Sequence, residues 1–199
     1  MKILKILTKV VLVILGSAIL FVGVLTVFEY KPDDIEEVTA KNIQDNMVTL
    51  GDVYQALTFN IGYAGLGEDE DFVMDGGTKG RPDSKGVVED YFEGIKTILN
   101  DNESDFYFLQ EVDQKSRRSY KINQEDDIID SLGGTHQSQY AYNFKSIFVP
   151  FPVSLTDYIG NVKSGIQTLS SYRVASSERH QFPGAFSWPL RVANLKRAM

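Results

Sequence analysis

The chain contains no cysteine, which excludes a disulfide partner, thiolate zinc sites and a cysteine nucleophile. It has only two histidines, His136 and His180, too few for a histidine-rich metal site. Basic residues are outnumbered, 20 Lys and Arg against 27 Asp and Glu, for a net charge of -7 and a pI near 4.9. Phosphate backbones are held mainly by clustered Lys and Arg, so this balance argues against a general polyanion binder, while a small phosphoester held through a metal stays open. There is no G-x-S-x-G elbow around Ser170 and Ser171 and no evident acid-histidine pair, which sets serine-triad chemistry aside. Asp69, Glu70 and Asp71 lack the alternating ligands and terminal glutamate of an EF-hand and read as solvated charge. No internal repeat or low-complexity tract occurs. The 199 residues give room for one globular domain with a sizeable core and a short appendage.

What is present begins with a membrane segment. Lys2, Lys5 and Lys9 precede an uncharged run, Val10 to Phe28, which at about 1.5 Å rise per residue nearly spans the hydrocarbon of a bilayer. Residues 1–30 read as an uncleaved single-pass anchor that meets the lipid bilayer through residues 10–28. The competing reading, a cleaved signal peptide, calls for a shorter apolar core and small residues before the cut, whereas this run ends Val27, Phe28, Glu29, Tyr30. Lysines before the span and Glu29, Asp33, Asp34, Glu36 and Glu37 after it place the N-terminus in the cytoplasm and the globular part outside. Residues 31–52, polar and acidic with Pro32 early, read as a juxtamembrane linker with some helical character.

In Val53 to Gly62, Val53, Leu57, Phe59 and Ile61 fall on one strand face, and Ala56, Thr58 and Asn60 on the other. Asn60 near the end of this first core strand either satisfies a neighbouring loop or holds a ligand. A long irregular stretch, Gly62 to Gly86, carries seven glycines. Ser84 then caps an amphipathic helix whose Val87, Val88, Tyr91, Phe92, Ile95, Ile98 and Leu99 recur at helical spacing. Next comes Asp105 to Asp113, DFYFLQEVD, an aromatic run too short for a helix that ends in polar residues. Strand, loop, helix and strand make a crossover unit that brings Asn60 and Glu111 to one mouth of a sheet, where ligands of open α/β sheets gather. A loop carboxylate facing water is the plainer reading of Glu111.

Arg117 and Arg118 follow this mouth; their forks suit phosphate oxygens, though adjacent arginines in a polar turn are commonly surface residues. Ile122, Ile128, Ile129 and Leu132 predict a second helix closing at Gly133 and Gly134. Gln139 to Val153 predicts a strand running into a proline-bounded loop. Gly165 to Ser171 predicts another strand, Tyr172 to His180 a continuation of the sheet, and Trp188 to Leu195 the start of a further element.

Together LTFNIGY at Leu57 to Tyr63, DFYFLQEVD at Asp105 to Asp113, the helix between them and GIQTLSSYRV at Gly165 to Val174 resemble the N-terminal half of the endonuclease/exonuclease/phosphatase (DNase I-like) superfamily. That superfamily includes DNase I, abasic-site endonucleases, inositol-polyphosphate 5-phosphatases and neutral sphingomyelinases. The resemblance covers residues 53–199. It implies an α/β (α+β) chain forming part of a four-layer α/β/β/α sandwich, preceded here by the single transmembrane helix. It implies a metal-dependent phosphoester hydrolase in which Mg2+ (or Mn2+) polarises a phosphate for attack by water. Glu111 is then a metal ligand, Asn60 orients the metal or the scissile phosphate, and Gln110 is a structural neighbour. On this reading Arg117, Arg118, Tyr142, Asn143 and Tyr172 are expected to line the pocket, and a phospholipid headgroup, a small phosphodiester or nucleic acid is the expected substrate.

The pattern's second half is not found. No histidine strand, Asp-x-Asn motif or serine-aspartate-histidine motif follows Glu111, and neither His136 in GGTHQS nor His180 in ERHQFPG sits in such a motif. Residues 53–199 are therefore expected to be the N-terminal part of a longer catalytic domain. The alternative is a truncated or degenerate, non-catalytic, membrane-anchored module. One sheet of a two-sheet sandwich also leaves a face bare, which favours association.

Overall fold

The computed structural model describes residues 1–199. In chain order the elements are α1 (Lys2–Val27), β1 (Ile35–Glu37), β2 (Ala40–Lys41), β3 (Ala56–Asn60), α2 (Lys85–Asp101), β4 (Phe106–Asp113), α3 (Gln124–Ser131), β5 (Gln137–Val149), β6 (Gly160–Ser170) and β7 (Glu178–His180). The most apolar 18-residue stretch of helix α1 has a mean hydropathy of 2.9, and the helix is long and apolar enough to cross a bilayer.

Strands β2, β5, β6, β4 and β3 form one mixed sheet in that spatial order. The β3 and β4 strands are parallel and joined through α2, as the crossover reading expects; the other pairings are antiparallel. Ser84 accepts a bond from the Val87 amide at 3.3 Å and so starts α2 where the sequence places it. The α2 residues Val88, Phe92, Ile95 and Leu99 and the α3 residue Ile128 pack on Leu57, Phe59, Tyr107, Leu109 and Leu169, which share one face of the sheet. On the opposite face Ala56, Thr58 and Phe108 are exposed, Phe108 by 43 %. The chain thus builds helices over one face of a single five-stranded sheet, two layers of the four expected.

Two expectations need correction. Residues 31–52 are not a free linker: β1 pairs with β7 in a small ribbon, and β2 adds to the edge of the main sheet beside β5. Short polar strands of this kind carry no hydrophobic alternation, because only their backbone is used. Likewise Tyr172 to His180 does not extend the sheet; only Glu178–His180 is strand, and it belongs to the separate ribbon. Trp188 to Leu195 holds one short 3-10 turn, Leu190–Ala193.

The β5–β6 hairpin is much longer than its neighbours. Pairing of β4 with β6 ends at Asp113 and Ser164, but β5 and β6 continue together to Val149 and Gly160. The hairpin therefore projects past the C-terminal end of β4, and the last part of α1 rests against it: the Phe21 and Phe148 rings meet edge to face at 6.0 Å.

Candidate active site

Side chains alternate along β4, so Tyr107 and Leu109 point into the helix-covered core and Glu111 would be next. A buried carboxylate there would be costly. A β-bulge prevents it. Between Leu109, opposite Gln167, and Val112, opposite Gly165, β4 has one residue more than β6. Val112 takes the core position, and Glu111 is turned out with φ 56°, half-exposed. For a residue with a Cβ this left-handed backbone costs about 1–3 kcal/mol. Glu111 thus stands within the strand, not beyond its end.

The neighbouring strand end is bent in the same sense. Gly62, Tyr63 and Ala64 have successive φ values of 52°, 43° and 53°, and only glycine adopts such a backbone without steric cost. This left-handed turn follows Asn60, whose Oδ1 accepts a bond from the Gly62 amide at 3.0 Å. Only the oxygen of a carboxamide can accept, so the amide group faces the other way. Its Nδ2 donates to Glu111 Oε1 at 3.1 Å. Asn60 and Glu111 are therefore brought together at one mouth, and Asn60 acts on Glu111 as a positioning residue. The second carboxylate oxygen takes no hydrogen bond from the protein.

Beneath this pair lies a buried polar layer that sequence reasoning missed. Arg118 grips Asp113 with two bonds of 2.9 and 3.1 Å, and Ser119 donates to the same carboxylate at 2.9 Å. The Arg118 guanidinium lies 3.7 Å from the centroid of the Tyr63 ring. Gln124 accepts from the Asp113 amide at 2.8 Å and donates to the Tyr63 carbonyl at 2.7 Å, tying both strained segments to α3. Burial opposes the charge on Arg118, but Asp113 outweighs it, with Tyr63 and Glu111 adding, and the guanidinium stays above its usual pKa. Burial drives the Tyr63 hydroxyl up; Arg118 counteracts this, while Asp113, Glu111 and Asp75 reinforce it.

The remaining pocket candidates do not join the pair. Arg118 is buried in its Asp113 bridge and cannot reach a phosphate. Arg117 donates to the Tyr158 and Thr156 carbonyls and stacks on the Tyr158 ring at 3.8 Å, stapling the hairpin turn. Tyr142 donates to Gln114, and its ring lies 5.2 Å from that of Tyr140. Asn143 binds the Lys196 and Ala198 amides at 2.7 and 3.1 Å through its backbone and side-chain oxygens, holding the C-terminal segment. Tyr172 bonds Asp105 at 3.2 Å, at the start of β4. Six residues of strand, about 20 Å, separate that position from Glu111, so Tyr172 lies at the opposite end.

Comparison with family models, with curated proteins and with solved structures finds no match. The donors at the Asn60–Glu111 mouth are hard oxygens, and no group of three or more His, Asp or Glu side chains able to hold a metal is present. Magnesium suits such a place: it accepts one or two carboxylates and fills its octahedron with water and substrate phosphate. At this mouth Glu111 offers one carboxylate oxygen that takes no hydrogen bond from the protein.

Proposed function

We propose that the chain carries the metal-holding part of a membrane-anchored, magnesium-dependent phosphoester hydrolase related to the endonuclease/exonuclease/phosphatase superfamily. The observation that supports this reading is the bulge that spends backbone strain to turn Glu111 out of the core and hands its carboxylate to Asn60. Backbone strain of this kind clusters at ligand and active sites, and here Glu111, Tyr63 and Ala64 carry it around the Asn60–Glu111 contact. Bound magnesium would supply Lewis-acid polarisation of a phosphoryl oxygen. Glu111 would hold the ion through its unbonded oxygen, Asn60 would keep that carboxylate oriented, and the Arg118–Asp113 layer would keep the supporting loops rigid. The exposed Ala56, Thr58 and Phe108 face suits a second sheet, which is the support for the full sandwich. In this reading α1 is the anchor, its lysine end lies in the cytoplasm, and the domain lies outside the membrane.

Manganese, an electron-spin probe for magnesium, tests the assignment on the full chain in detergent micelles. Binding is expected in the wild type, loss in Glu111→Gln and weakening in Asn60→Ala. Unchanged manganese binding in Glu111→Gln overturns the metal assignment.

A second reading, a non-catalytic module, is favoured by the placement of the histidines. His136 bonds the Ser104 carbonyl at 3.0 Å just before β4 begins, and His180 pairs with Glu178 in the ribbon. Neither histidine bonds to Asn60 or Glu111. Hydrolysis of bis-p-nitrophenyl phosphate by this chain with magnesium is accordingly expected at background, and turnover abolished by Glu111→Ala would refute that expectation.

A further inference from the structure

The exit of α1 and the projecting hairpin enclose a cleft of about 470 Å³ lined by Phe28, Lys31, Lys145, Asn161 and Lys163, among others. Lys145 and Lys163 are direct cross-strand partners in the β5–β6 ladder. Like charges placed opposite each other on a sheet destabilise it. Neither lysine has a carboxylate within ion-pair distance; Lys145 Nζ lies instead over the rings of Tyr142 and Tyr30, at 4.4 and 5.1 Å. Glu29, the acid in the cleft wall, is already taken by Lys196 at 2.8 Å and Arg191 at 3.2 Å. Lys121 stands beside them on Asn161. Burial first, then the charges of Lys163 and Arg117, hold its pKa below the ordinary lysine value. A chain with an excess of acids has thus gathered uncompensated positive charge at one point.

The location says what compensates it. Phe21 lies seven residues before Phe28, about 10 Å back along the helix axis, and Phe148 touches it. Lys145 is three residues before Phe148, about 10 Å of strand, which agrees with its sharing a cleft with Phe28 to Lys31. Beyond Phe148 the hairpin turn exposes Phe151, Val153 and Leu155, the last two at 96 % and 97 %. Lysines level with the helix exit and apolar residues below it match the two zones of a bilayer leaflet, headgroup and acyl chain.

We propose that this cleft binds the phosphate headgroup of an anionic phospholipid between Lys145 and Lys163, while the exposed Val153 and Leu155 at the tip of the β5–β6 turn reach the acyl chains. The proposal rests on the membrane anchor of the reading above and not on its hydrolase chemistry. Trp188, the only tryptophan, donates to Thr26 at 3.1 Å and so reports from the same helix exit. The test uses the full chain in phosphatidylcholine nanodiscs doped with a minor fraction of acyl-brominated lipid, either phosphatidylglycerol or phosphatidylcholine. Brominated phosphatidylglycerol is expected to quench Trp188 beyond its mole fraction, with the preference falling about fivefold for each lysine removed. Lys145→Gln with Lys163→Gln should erase it and Lys85→Gln on α2 should not. Lys163→Glu is a second probe, because it turns the repulsive pair into an attractive one and so keeps the hairpin folded while destroying the anion site. Equal quenching by the two brominated lipids overturns the proposal. So does a preference that inorganic phosphate removes at constant ionic strength, since the lysines then serve a free anion. Co-flotation with pure phosphatidylcholine vesicles checks the anchor separately, and failure to float overturns the anchor reading along with this one.

Discussion

At the residue scale, the Asn60–Glu111 contact stands over a buried ion pair, Arg118 on Asp113. Asn60 and Glu111 were legible because each ends a short apolar run with a polar group. Asp113 and Arg118 were not, since two arginines side by side in a polar turn give no sign of which goes inward. The turn decides it: Lys115, Tyr120 and Lys121 all have positive φ, and the chain doubles back so that Arg118 lands on Asp113. Removing one partner of a fully buried ion pair leaves a charge without compensation, at about 3–5 kcal/mol. Asp113→Ala is expected to destabilise the domain by that amount in urea titration of the full chain in micelles. Replacing both partners, Asp113→Leu with Arg118→Met, is expected to recover most of the loss, because no unpaired charge remains. Similar instability in the double variant would show that the layer acts by shape and not by charge.

Among the elements, the crossover from β3 through α2 to β4 could be read from periodicity and from the Ser84 cap, because each uses a side-chain pattern. The bulge in β4 could not. Phe106, Tyr107, Phe108 and Leu109 are apolar on both faces, so the sequence carries no alternation from which to notice an extra residue. It exists only in the pairing with β6, where Gly165 faces Val112. A Cβ at Gly165 would lie 2.2 Å from the Ala141 carbonyl oxygen and 2.8 Å from Tyr140 Cζ. A backbone oxygen in a ladder cannot step aside, so Gly165→Ala is expected to cost about 1–3 kcal/mol. It should also loosen β4 at the bulge, seen as faster hydrogen exchange at the Val112 and Ala141 amides. Unchanged exchange at those amides would separate the bulge from the strand packing behind it.

For the molecule as a whole, the wrong expectation was that the chain from Lys31 to Asp52 only supplies reach. Polarity and an early proline describe a linker and an edge strand equally well, and only partners distant in sequence, β5 and β7, tell them apart. The same holds for the C-terminal segment, which returns to α1 through Trp188 and through Lys196 and Arg191 on Glu29. Burial raises the Glu29 pKa, but Lys196, Arg191 and Lys31 together outweigh it and leave the carboxyl below its ordinary value of 4.5. A depressed acid contributes stability above that ordinary value and loses it as pH falls through the folded-state value. Acidification below 4.5 is thus expected to free the C-terminal segment from the helix exit. The emission of Trp188 should show it as a step that Glu29→Gln lacks. A step of equal size in Glu29→Gln would assign the change to other carboxylates.

The weaving of β1 and β2 into the sheets also bears on proteolytic release. A domain on a slack tether is shed by one cut. Here a single cut after Lys31 leaves Glu29 and Tyr30 on the helix side, still bound by Lys196, Arg191 and the hairpin. A cut between β2 and β3 leaves β1 and β2 annealed to β7 and β5. Either nick yields a two-piece complex in which the domain stays on α1, so its release from that helix requires the noncovalent seam to open as well as the backbone.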